Sequence, residues 1–143
     1  MRHDELFGEF DAMFVELAKR ARTGRFEPNC DVYLNADETE LVVEVEIAGA
    51  DPSELRVGLE QRHLLIVGQR SPRRRARPGD VLMKEIEYGD FIKKIHLPVP
   101  VAHAEATASY QDGMLTIRLP VSQESRPPAH RTELQMTVRR ISV

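Results

Sequence analysis

Ala108-Ser-Tyr-Gln-Asp112-Gly113-Met-Leu115-Thr-Ile117-Arg-Leu119-Pro120 reads as a β-hairpin. Asp112-Gly113 is a turn dipeptide, because glycine accepts the positive φ that a tight two-residue turn demands. Beyond it Leu115, Ile117 and Leu119 alternate with Thr116 and Arg118, which gives the strand one apolar face and one wet face. Pro120 ends the strand, since it has no N–H to donate to a ladder. An isolated hairpin is marginal in water, so the flanking sequence decides what its apolar face is buried against.

Upstream the same period of two recurs. Asp31 to Leu34 is a short strand, and Asn35-Ala-Asp-Glu38 a polar turn. Thr39 to Ile47 is the clearest strand, with Leu41, Val43, Val45 and Ile47 on one side and Val42, Glu44 and Glu46 on the other. Gly49-Ala-Asp-Pro52 makes the next turn, and Leu55, Val57 and Leu59 alternate after it. Leu64 to Val67 is apolar at every position, which predicts a central strand covered on both faces. Ser71 to Asp80 is an exposed loop carrying Arg73, Arg74, Arg75 and Arg77. Val81 to Glu87 is expected as a strand, Phe91 to Leu97 as another, and Glu105 to Tyr110 leads back into the hairpin. Six or seven short strands with no helical period among them predict an all-β sandwich rather than a parallel sheet.

The two ends differ from this middle. Leu6, Phe10, Met13, Phe14 and Leu17 fall on one face at helical spacing, with Phe7 beside them. Asp4 suits the N-cap, and Lys19, Arg20 and Arg22 the C-terminal turn ahead of Gly24. An amphipathic helix over residues 1–25 follows. A β-domain with its own core does not need that stripe, so it is assigned to contacts between subunits or with other proteins. After Val121 the chain turns polar, and Pro127-Pro128 makes a stiff break in what reads as an unstructured linker, Ser122 to Arg131. Leu134, Met136 and Val138 alternate, and Ile141-Ser-Val143 places two branched apolar residues around one polar one. In an extended chain such a pair points the same way and calls for a partner. The expected organisation is a helical arm at 1–25, a β-domain at 26–121 and a flexible C-terminal extension at 122–143.

The chain has 143 residues, one domain plus arms, with a net charge of -3 and 23 acidic against 20 basic residues. That balance favours neither nucleic acid nor an acidic membrane surface. The arginine loop lacks the interleaved aromatics that stack on bases. Its single cysteine, Cys30, cannot form an internal disulfide, and no apolar run precedes the fold as a signal peptide or reaches membrane-spanning length. A reducing cytoplasm is the expected setting. His3, His63, His96, His103 and His130 show no i, i+4 pair and no neighbouring cysteine, and neither a nucleophile elbow nor a phosphate-cradling glycine loop is present. Glu85 and Glu87 would share one face of a strand, as exposed charge. Neither a catalytic residue, a cofactor site nor a metal site is expected, and an enzyme has no residue to stand on.

Four stretches together resemble the small heat-shock protein family and its α-crystallin domain: Phe26-x-Pro28-x-x-Asp31-Val-Tyr33, Gly89-x-Phe91-x-Lys93-x-Ile95-x-Leu97-Pro98, Ala108 to Pro120, and Ile141-x-Val143. The resemblance implies an immunoglobulin-like β-sandwich that dimerises and then assembles further through both arms. It implies an ATP-independent holdase that binds partly unfolded proteins. It places the dimer contact on Val81, Leu82, Met83 and Lys84, which cross to the partner sheet, and on Lys93. It also places a groove for the tail motif, Ile141 and Val143, between the strand of Leu55, Val57 and Leu59 and the strand of Ala108, on a neighbouring subunit. Leu134-x-Met136 or Met136-x-Val138 is the rival register for the same groove. Leu6, Phe7, Phe10, Met13, Phe14 and Leu17 become the client and assembly helix. The chain departs from the family in having Lys93 where arginine is usual, which loses the planar fork, and Ala48-Gly49 for Pro-Gly. The alternative is a monomeric CS-domain-like co-chaperone or adaptor that binds a folded partner.

Overall fold

The computed structural model describes residues 26–72, 79–123 and 131–139, together with Ala12. Among them nine strands run in chain order: β1 (Cys30–Leu34), β2 (Glu40–Glu46), β3 (Arg56–Glu60), β4 (His63–Arg70), β5 (Gly89–His96), β6 (Thr107–Gln111), β7 (Met114–Pro120), β8 (Thr132–Leu134) and β9 (Met136–Val138). They form two sheets, β1-β2-β7-β6-β9 and β5-β4-β3-β8. The predicted all-β, immunoglobulin-like sandwich is the observed architecture. The helical reading of the N-terminal arm, with Leu6, Phe7, Phe10, Met13, Phe14 and Leu17, lies outside the described residues.

The hairpin behaves as its sequence demands. Asp112 and Gly113 both take positive φ, 54° and 77°, so the mirror-image turn matches the right-handed strand twist. Gln111 is then paired with Met114 directly across a two-residue loop. Leu115, Ile117 and Leu119 are fully buried, opposite Val45, Val43 and Leu41 of β2. On the facing sheet Val57, Leu59, Leu64 and Ile66 complete a mostly aliphatic core. Each fully buried aliphatic side chain contributes about 1.5–3 kcal/mol relative to exposure. All four residues from Leu64 to Val67 are fully buried on a strand flanked by β3 and β5, as the unbroken apolar run requires.

Among the described residues Phe91 is the one fully buried Phe or Tyr ring. It pairs across the ladder with Gly68, and a Cβ at Gly68 would stand 2.4 Å from Phe91 Cζ. The missing side chain makes room for the ring. Tyr110, also buried, donates its hydroxyl to the Ile47 carbonyl at 2.7 Å, which ties β6 to the chain leaving β2.

Two expectations are corrected. Val81 to Glu87 is not a strand: residues 81–88 carry no regular secondary structure and are exposed up to Glu87. Glu85 and Glu87 therefore share no strand face. The segment begins with three apolar residues, but no described strand lies beside it to complete a ladder. Conversely, part of the assumed flexible extension is built into the fold. Residues 132–134 and 136–138 are the strands β8 and β9, while the linker reading of 124–130 lies outside the described residues.

Candidate functional site

Between the strand of Leu55, Val57 and Leu59 and the strand of Ala108, where the resemblance places a groove for the tail motif, lies a segment of the same chain. β8 runs antiparallel to β3, with Leu134 opposite Val57 and Thr132 opposite Leu59. One residue later β9 runs parallel to β6, with Met136 opposite Ala108. Residues 132–138 thus leave one sheet at Leu134 and join the other at Met136, closing the open side of the sandwich. Leu134 is only 6% exposed and belongs to the core that contains Leu55, Val57, Leu59 and Ala108, and Met136 packs against it. Small Ala108 leaves space for the Met136 side chain.

Two ion pairs hold this register. The Arg56 guanidinium grips Glu133 with both arms, Nε on Oε1 and Nη2 on Oε2. Arg131 pairs with Glu60 at the other end of β3. Both pairs are partly buried, so they are screened less than surface pairs. The Arg139 N–H donates to the Tyr110 carbonyl at 3.0 Å and extends the pairing past β9. Recesses remain on both sides of the segment, one floored by Pro52, Ser53 and Leu55 and the other by His103, Ala104 and Ala106.

The sequence reading preferred Ile141 and Val143 for this groove, on a neighbouring subunit. Here Leu134 and Met136 occupy it, in the same chain, while Ile141 and Val143 lie outside the described residues. Branching favoured the terminal pair. Glu133 and Arg131, which flank Leu134, pair with Arg56 and Glu60 of β3; Ile141 has Arg139 and Arg140 before it and no acidic neighbour.

The second feature is the segment expected to cross between subunits. Val81, Leu82, Met83 and Ile86 are 67%, 96%, 77% and 59% exposed. Its base is held by Arg70, whose Nε donates to the Glu87 carbonyl at 3.0 Å and whose Nη1 donates to the Ala48 carbonyl at 3.2 Å. The same guanidinium sits 4.6 Å from the Phe26 ring centroid and 5.7 Å from that of Tyr88, within cation–π range. The loop is therefore anchored at its foot and bare along its apolar length. β1 stands at the edge of its sheet with Val32, Tyr33 and Leu34 exposed. Lys93 is not free: its ammonium lies 3.2 Å from Glu27 of the same chain. The cluster Arg73 to Arg77 lies outside the described residues.

Sequence reasoning missed one juxtaposition. His63 and His96 are 33 residues apart, yet they are direct partners in the β4–β5 ladder, with Nδ1 of His96 3.4 Å from Nε2 of His63. No motif spacing signals this; only the register of two strands does. Among the described residues no group of three or more His, Cys, Asp or Glu side chains is placed to hold a metal ion. Among the same residues no helix is long and apolar enough to cross a membrane.

Comparison with known proteins agrees with this geometry. The description "Hsp20/alpha crystallin family" matches residues 33–139. The chain is 28% identical to small heat shock protein C4 of Rickettsia felis over 86% of its own length and 76% of that protein's. Its fold is similar to heat shock protein 16.0 from Schizosaccharomyces pombe, with a TM-score of 0.65, 25% identity and 71% of each chain covered. It is also similar to the hspA of Xanthomonas axonopodis, with a TM-score of 0.60 and 26% identity over 68% of this chain and 96% of that one. A match that spans well over half the chain, on a sandwich with the same architecture, assigns it: this protein belongs to the Hsp20/alpha crystallin family.

Proposed function

We propose that the protein is an ATP-independent holdase, which binds partly unfolded proteins in the cytoplasm and keeps them from aggregating. The observation that carries the reading is the bare apolar run Val81, Leu82, Met83 and Ile86 beside a sandwich whose core is buried. Exposed patches of this kind mark interaction surfaces. Part of the run serves dimerisation: Val81 to Lys84 would cross to a second copy and add a strand to its β1 edge, covering Val32 and Leu34 there. Lys93 would lie near the same contact. The N-terminal face of Leu6, Phe10, Met13, Phe14 and Leu17, with Phe7, would bind clients and neighbouring dimers. A monomeric adaptor of the CS-domain kind has no use for that much uncovered apolar surface.

The test combines native mass with aggregation suppression. The purified protein should be larger than a monomer, and it should keep a heat-labile enzyme in solution at near-stoichiometric ratio without nucleotide. A strictly monomeric chain, an absolute need for ATP, or no protection at any ratio would each sink the proposal.

A further inference from the structure

We propose that His63 and His96 form a two-histidine zinc site, clamping β4 to the free edge strand β5. The two nitrogens are 3.4 Å apart, longer than the 2.7–3.2 Å of an ordinary hydrogen bond from nitrogen. Two imidazoles bound to one tetrahedral zinc ion, each at about 2.0–2.1 Å, have nitrogens about 3.3–3.4 Å apart. A square-planar ion would hold adjacent ligands at about 2.9 Å, so the spacing favours zinc over copper. The rings meet edge to face with centroids 5.0 Å apart.

The surroundings suit such a site. His96 is exposed and His63 half-buried, so an ion can enter from solvent. Glu60 is the next residue in the same cross-strand row, directly opposite His63. Its carboxylate is engaged by Arg131, so it contributes negative potential rather than a ligand, against the opposing charge of Lys94. Two protein ligands leave two tetrahedral positions to water. The site is therefore of modest affinity, and zinc bound there stabilises the folded chain by mass action.

Zinc chloride is titrated into the full-length protein by calorimetry, beside His63→Gln, His96→Gln and a control carrying His3→Gln and His130→Gln. Thermal unfolding is followed with and without zinc. The expected result is one zinc per chain, a zinc-dependent rise in unfolding temperature, and an affinity at least about tenfold lower in each single variant, with the control unchanged. Equal zinc uptake in the single variants, no uptake in the unaltered protein, or uptake lost in the control would each overturn the site. His96 is exposed, so its variant decides the matter even if His63→Gln disturbs β4.

Discussion

Gly68 shows how one absent side chain organises a sheet. Its Cα faces the Phe91 ring across the β4–β5 ladder, and a methyl group there would sit 2.4 Å from ring carbon Cζ. The ring is fully buried, so it has no route out to solvent. Gly68→Ala should therefore destabilise the domain by about 1–3 kcal/mol, the usual cost of overpacking a closed core. Denaturant unfolding measures it. Adding Phe91→Leu should cost less in the Gly68→Ala background than alone, because the two changes share one volume. Simple additivity would mean that the ring and the glycine are not coupled. Gly113 is constrained differently. At φ 77° and with the Ala48 Cα 3.0 Å from a would-be Cβ, both its backbone and its neighbour exclude a side chain.

At the scale of elements, the segment 131–139 decides how the sandwich ends. It contributes one short strand to each sheet, and the apolar gain rests on Leu134 and Met136. The segment is held by two three-residue strands, buried Leu134, partly buried Met136 and two ion pairs, a small set of contacts for its length. Exchange of this segment between its own groove and a neighbour's is the proposed route to assembly, with tethering supplying a high local concentration. Leu134→Ala with Met136→Ala should open the groove and shift the size of the assembly, as read by light scattering. Ile141→Ala with Val143→Ala should have the smaller effect. The reverse ranking would return the groove to the terminal pair.

At the scale of the molecule, the β-domain carries its own core. Leu41, Val43, Val45, Leu115, Ile117 and Leu119 from one sheet meet Val57, Leu59, Leu64 and Ile66 from the other. Removing residues 1–25 should then leave a folded β-domain by circular dichroism while the assembly shrinks and protection of clients weakens. An unfolded product would make the arm part of the fold rather than of the proposed client surface.

Much of this was legible because the signals are local. Alternation in Leu41 to Ile47 and in Leu115 to Leu119, the Asp112-Gly113 turn and the unbroken run Leu64 to Val67 each report which face of a strand is buried, and they need no knowledge of neighbours. The strand period and the turn dipeptide were enough to determine a sandwich. What they could not determine is pairing. Val81 to Met83 is apolar enough for a strand, yet a strand exists only where another backbone accepts its hydrogen bonds. His63 and His96 meet only because β4 and β5 pair in one register. The strand around Leu134 is held by Arg56 and Glu60, more than 70 residues away in sequence from their partners Glu133 and Arg131. Burial preference belongs to the residue and can be read from the chain. Partnership is a distance in space, and the tertiary structure alone decides it.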